Sequence, residues 1–228
     1  MDEVPGGLMT IPAGTLLDKF GSGTHAPGSG SAAALMGILS AKLIITVGKL
    51  SLKKDGYKAD HSKIKYINDR IEKDIEPELK RLFDEDARIF DEVISFRVAR
   101  DKATDKNEKR RLGEQANNKL RVATDIPIRI CELSLRLIDH GTAMFDMGFK
   151  AARGDSGAAV SSAVAGAMSA IFVVSLNLRS FKQSDWAQSK RKRVAELERE
   201  LEIKQLDAFG RVSQLKEEDV EAMSLDLD

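Results

Sequence analysis

In the segment HAPGSGSAAALMG, residues 25–37, a proline and two spaced glycines run directly into an alanine-rich apolar stretch. Residues of these types can open a helix at Gly28–Ser31 and leave its first backbone amides unpaired. Such amides, backed by the helix dipole, hold a carboxylate or a flat ring, and glycine lets either come close. The same residues also make a tight turn whose alanines only pack, and their spacing does not separate the two readings. The second chemical candidate is Asp155, the acid that opens the uncharged run from Ser156 to Leu178. A carboxylate there can take a proton from water, or it can cap the helix.

The remaining motifs carry less. GSGTHA, from Gly21 to Ala26, has the G-x-G-x-x-A spacing of dinucleotide sites, but no strand pattern precedes it and no βαβ unit surrounds it. His25, His61, His140 and Cys131 show no metal-ligand spacing on one helical turn, so structural or surface roles and no metal are expected. SLKK at Ser51 lacks the companion motifs that would make it catalytic.

The elements that must position these residues read as helices. Of 228 residues, 42% are hydrophobic, enough for a substantial core. Lys plus Arg and Asp plus Glu both total 36, so net charge argues for neither a nucleic acid nor an anionic membrane as partner. The single cysteine excludes an internal disulfide framework, and MDEVPGGLMTIPAG lacks the layout of a secretory signal, which together suggest a cytoplasmic protein. The run 156–178 is long enough to span a bilayer, but its first two-thirds are mostly Ala, Ser and Gly. Such residues suit close helix packing, so a buried helix is expected and no membrane.

Helical spacing recurs throughout. A short helix is expected near Thr15–Phe20, and a second near Ser29–Leu52 that ends at KKDGYKADH. A long one runs from His61, kinked or restarted near Pro77, and carries Ile64, Ile67, Ile71 and Ile75 on one face and then Leu79, Leu82, Ile89, Phe90 and Ile94. RDKATDKNEKRR reads as a solvated connection, and another long helix continues to about Phe149 with Pro127 inside it. The last segment places Val194, Leu197, Leu201, Leu206, Phe209 and Val212 on roughly one face. Fewer than three clean heptads favour a helix folded back on its own domain over a coiled-coil partner surface.

Four segments in order carry a family resemblance: APGSGSAAALMGILSAKLI; DEDARIFDEV, with Asp86, Phe90 and Asp91; ATDIPIRICELSLRLID; and GDSGAAVSSAVAGAMSAIFVVSLNL. Together they resemble the cyclodeaminase and methenyltetrahydrofolate cyclohydrolase family, all-helical folate enzymes found alone or fused to formiminotransferase domains. The agreement spans residues 15 to about 182. It implies an up-and-down bundle of long helices over 15–182, preceded by an extension, 1–14, and followed by a charged helix, 183–228, on the same domain. Departures are Ser29 for the middle glycine of the family's glycine run, Gly154-Asp155 for its Ser-Asp pair, Val173 for the first of two asparagines, and Lys49 with an altered KKDGY run.

The resemblance tips the opening choice toward a ligand. It implies a tetrahydrofolate-type substrate held by Pro27, Gly28, Ser29, Gly30, Ser31, Lys54, Tyr57 and Asn177, with Asp155 as the first and Asp86 as the second choice of catalytic carboxylate. The chemistry implied is hydrolysis of 5,10-methenyltetrahydrofolate to the 10-formyl form, or deamination of 5-formiminotetrahydrofolate, with no metal or redox cofactor. A carboxylate steadies the cationic amidinium and takes a proton from attacking water, while hydroxyl or amide donors steady the tetrahedral intermediate. A homodimer with the pocket at or near its interface is also implied. Two alternatives stay open: a folate-like binding protein that has lost turnover, and an interaction protein working through its C-terminal helix.

Overall fold

The computed structural model describes residues 7–181 and 184–215. Its elements are α1 (Ala13–Gly21), α2 (Ser29–Ser51), α3 (His61–Arg70), α4 (Glu76–Lys102), α5 (Lys106–Met147), α6 (Arg153–Leu178) and α7 (Asp185–Leu215), with no strand among the described residues. The expected bundle of long helices is what the chain forms. α2 and α6 are its spine: Ala33, Ala34, Ala41, Ala159, Ala163, Ala167 and Ala170 are all fully buried. Small side chains let the helices approach until Gly166 lies against the backbone of α2, where a Cβ would stand 3.0 Å from the Ala33 carbonyl. α4 and α5 close the core with Leu79, Leu82, Phe83, Ile130, Leu133 and Leu137.

The helix from His61 restarts near Pro77, as its pattern suggests: a π turn, Ile71–Ile75, leads into α4, and Pro77 falls in the first turn of α4. Two local outcomes differ from the sequence pattern. The charged stretch 100–111 is mostly the ends of α4 and α5. Only Ala103–Asp105 connect them, and Asp105 caps α5 by accepting from the Glu108 amide at 2.8 Å. The N-terminal stretch is also tied down before α1: Leu8 is buried, and its amide donates to Asp84 Oδ1 at 2.8 Å.

α7 runs parallel to α5 along a ladder of ion pairs. Acids recur every seventh residue on α5, and Asp125 meets Lys190 at 2.6 Å, Glu132 meets Arg193 at 2.8 Å, Asp139 meets Lys204, and Asp146 meets Arg211 at 2.8 Å. Beneath it Ala187, Val194, Leu197 and Leu201 are buried. The apolar face does not continue as its spacing suggests: Leu206 and Phe209 are exposed, and the side chain of Val212 lies outside the described residues.

α2 (Ser29–Ser51) and the helix ending at Leu178 are long and apolar enough to cross a membrane by length and composition. In the bundle, 61% and 44% of their apolar windows are buried, so α6 keeps an outer face that no described residue covers.

Candidate active site

The start of α2 is where chemistry gathers. The chain reaches it through a cis Ala26–Pro27 bond, and Gly28 is the N-cap, without any side chain of its own to cap the helix. The cap comes from across the bundle. Asp86, on α4, accepts from the Ser31 hydroxyl at 2.9 Å and from the Ser31 backbone amide, and the same hydroxyl lies 3.2 Å from the Phe83 carbonyl. At Ser31 the anion on this helix start is therefore the chain's own carboxylate, while Gly28, Ser29 and Gly30 line the adjoining cavity. Ser31 is fully buried and holds Asp86; Pro27 is buried under the turn.

Asp86 is 6% exposed yet faces a cavity of about 360 Å³. Gly28, Ser29 and Gly30 form one wall, Phe90 and Asp86 another, and Val173, Leu176 and Asn177 from the end of α6 a third. Thr24 and His25 stand in the loop before α2 on the same cavity. Burial pushes the Asp86 carboxyl above its ordinary value, and the two Ser31 hydrogen bonds pull it partly back. A carboxyl so placed can hold or release a proton nearer neutrality than a solvated one. Among the described residues, His25 and Asp86 are the titratable side chains on this cavity, and no lysine or arginine lines it. The cavity thus suits a flat cation.

Asn177 is fixed by a defect in the facing helix. Pro127 has no N–H to give the Ala123 carbonyl four residues back, and the Asn177 side-chain amide donates to that carbonyl instead, at 3.1 Å. Ala123 is 2% exposed, so without Asn177 its oxygen would be buried and lack this bond.

Residues 12–196 match the formiminotransferase-cyclodeaminase family. The chain belongs to that family. It is 29% identical over 178 residues to a methenyltetrahydrofolate cyclohydrolase of Methylorubrum extorquens, a match covering 78% of this chain and 84% of the relative. The crystal structure of a formiminotetrahydrofolate cyclodeaminase from Thermotoga maritima shares the fold, with a TM-score of 0.78 at 17% identity, covering 91% of this chain and 98% of that one.

Not every family position comes together in one chain. Asp155 sits in the first turn of α6, whose N-cap is Ala152, while Asn177 is at the other end; 22 residues of helix separate them by about 33 Å. Lys54 and Tyr57 are at the Asp155 end. Lys54 lies over the Phe149 ring at 5.1 Å, Tyr57 meets the same ring edge to face, and the Tyr57 hydroxyl accepts from the Lys150 amide at 3.1 Å. Lys49, in place of the family's asparagine, pairs with Glu72 at 2.7 Å. Thr24, His25, Ala123, Val173 and Leu176 also line the cavity without being candidate site residues in the sequence. Two of them carry a signal there: His25 stands three residues before Gly28, and Val173 takes the place of the first of the family's two asparagines.

Proposed function

We propose that this chain is a folate one-carbon enzyme that opens 5,10-methenyltetrahydrofolate to 10-formyltetrahydrofolate, as a homodimer, with Asp86 as its general base. The observation that carries this reading is a buried carboxyl with a raised pKa in a cavity lined by no lysine or arginine among the described residues. The match to a named cyclohydrolase supports the substrate class. The substrate is a cation, so ionised Asp86 attracts it and compensates its own burial. As water adds to the methenyl carbon, Asp86 takes one of its protons and a neutral adduct forms. The carbon–N5 bond then breaks while the adduct's hydroxyl loses its proton and N5 gains one from the Asp86 carboxyl, leaving the formyl group on N10. One proton is released overall. Phe90 lines the cavity as an apolar surface for the pterin, and Ser31 keeps the carboxylate aimed.

Deamination of 5-formiminotetrahydrofolate is the second reading. It needs a proton for departing ammonia, and His25 on the same cavity is a group able to supply one. The test is spectrophotometric: the methenyl absorbance falls with the protein present if hydrolysis is catalysed, and rises from the formimino substrate if deamination is. An unmodified protein that does neither, yet is stabilised by folates in a thermal shift, is a binding protein.

A further inference from the structure

One turn of α4, residues 83–86, holds the chain ahead of α2 at both of its ends. Asp86 accepts from the Ser31 hydroxyl at 2.9 Å, where α2 begins. Asp84, half-buried on the same turn, accepts from the Leu8 amide at 2.8 Å, ahead of α1. The fit at Asp84 is close: Gly7 has a φ of +83°, and a Cβ there would stand 2.3 Å from Asp84 Oδ2. The Leu8 side chain is buried, and the Thr10 hydroxyl closes the turn by donating to the Gly7 carbonyl at 2.8 Å. Gly7 and Leu8 precede the residues that match the family.

Between these two anchorages the chain is tied mostly to itself. Leu16 is buried and Phe20 meets the Phe83 ring edge to face at 6.4 Å, but much of α1 is turned outward, with Leu17 62% exposed. The loop after it is knotted by its own residues: the Ser22 hydroxyl donates to the Lys19 carbonyl at 2.7 Å and accepts from the Thr24 amide at 3.4 Å, and the Thr24 hydroxyl donates to the Ala26 carbonyl at 3.2 Å. Among the described residues, no hydrogen bond of 12–26 reaches the bundle. This knot presents Thr24 and His25 to the Asp86 cavity. Residues 12–26 thus keep a shape of their own over the cavity, and their seat depends on apolar contacts and on what holds the two ends.

We propose that residues 12–26 are a lid over the Asp86 cavity, and that Asp84 is a positioning residue that seats this lid through Leu8. Seated, Thr24 and His25 keep bulk water from Asp86 and from the cationic carbon of the substrate; unseated, the cavity opens for product to leave. Asp84 does not line the cavity, so it acts on how often the cavity is closed. When only the closed form binds well, apparent affinity falls with the closed fraction, while turnover at saturation is kept because bound substrate draws the lid down. The catalytic part of this proposal rests on the reading of the Asp86 cavity as the active site, whereas the seating of the segment by Asp84 does not.

Two substitutions break the latch from opposite sides. Asp84→Ala removes the acceptor on α4, and Gly7→Ala drives a Cβ into the carboxylate from the other strand of chain, leaving α4 and Asp86 as they are. Each should keep its helical circular dichroism. Each should raise KM for 5,10-methenyltetrahydrofolate about tenfold with kcat held within about twofold, since a hydrogen bond to a charged group biases a two-state equilibrium by about that much. Asp84→Asn keeps an oxygen for the Leu8 amide and should restore KM. Joined in one protein, Gly7→Ala and Asp84→Ala should cost no more than either alone, because a single contact is lost. Additive effects, or a fall in kcat at unchanged KM, which would mean that Asp86 itself had been disturbed, would overturn the proposal. Trypsin reads the lid without activity. Lys19 is the first basic residue of the chain, so a cut there removes residues 1–19 and is identified by mass. In both variants that cut should come about tenfold faster, as the open population grows, and 10-formyltetrahydrofolate should slow it in the unmodified protein. Unchanged cleavage in the variants would overturn the latch, and cleavage that the folate does not slow would overturn the lid. If the unmodified protein turns over neither folate, the functional reading falls while the trypsin rates still decide whether Asp84 seats the segment.

Discussion

A Cβ on residue 30 would stand 2.1 Å from Asp86 Oδ1, so the backbone of α2 passes the Asp86 carboxyl with room for a hydrogen only. Gly30→Ala must push the carboxylate or the helix start aside, and because Ser31 holds Asp86 from the next residue, neither can yield alone. We expect a loss of about 1–3 kcal/mol in stability together with a loss of turnover. Thermal melts and initial rates check this. Gly28→Ala is the contrast: its Cβ would meet only the His25 carbonyl, at 3.0 Å, and its effect should be the smaller.

Asp86→Asn should separate function from stability. The amide keeps an oxygen for Ser31 to donate to but has no basicity, so turnover should fall on the order of 100-fold to 10,000-fold. The sign of the stability change follows from linkage. Burial raises the folded-state pKa of Asp86 above its unfolded value near 3.8, so its favourable contribution is fully present below that value and is lost as pH rises through the folded pKa. Glu76 and Glu78, whose pKa values are lowered, run the other way and are common to both proteins. The variant should therefore gain on the unmodified protein as pH rises from about 4 to 8. A melting-temperature difference that stays flat with pH would mean Asp86 is not a buried acid.

What the sequence made legible depended on how local the signal was. Helices and their order follow from periodicity, and the Gly28–Ser31 turn was visible because glycine and proline act where they stand. The cap on that turn was not, because Asp86 lies 55 residues beyond Ser31 and only the packing of α4 on α2 brings it there. Asp155 ranks first in the sequence because it heads an uncharged helix and matches the family's aspartate, and neither feature says which groups face it. Similarly, Leu206 and Phe209 fit the helical face of α7 by spacing, yet are exposed. Periodicity marks a face without marking which of its residues a neighbour covers, since α5 still lies beside α7 at the Asp146–Arg211 pair.

Cys131 offers a check on the core. It is fully buried, and burial with the nearby Glu132 pushes its thiol up to about 12, so it carries almost no thiolate at neutral pH. The native protein should resist a thiol-reactive dye for as long as it stays folded and react with one equivalent per chain in denaturant. Rapid labelling in native buffer would contradict the packing of α5.

Asn177 and Pro127 permit a test in which one substitution repairs another. Asn177→Leu removes the amide that donates to the Ala123 carbonyl, at a site where that oxygen is buried and Pro127 supplies no N–H. Leaving a buried acceptor unpaired costs about 1–3 kcal/mol. Pro127→Ala restores a backbone N–H four residues beyond Ala123, which can close the helical hydrogen bond from within α5. In the background of Asn177→Leu, that second change should recover most of the lost stability. In the unmodified protein it should gain less, because the new N–H competes with Asn177 for the same oxygen. Denaturant melts of the four proteins give the coupling energy directly, and it should be favourable by about 1 kcal/mol or more. Simple additivity would mean that Asn177 is held by something other than this carbonyl. Turnover should separate from stability in the repaired double variant: Asn177 also lines the Asp86 cavity, so a stable protein that remains slow would assign its amide a second role toward the substrate.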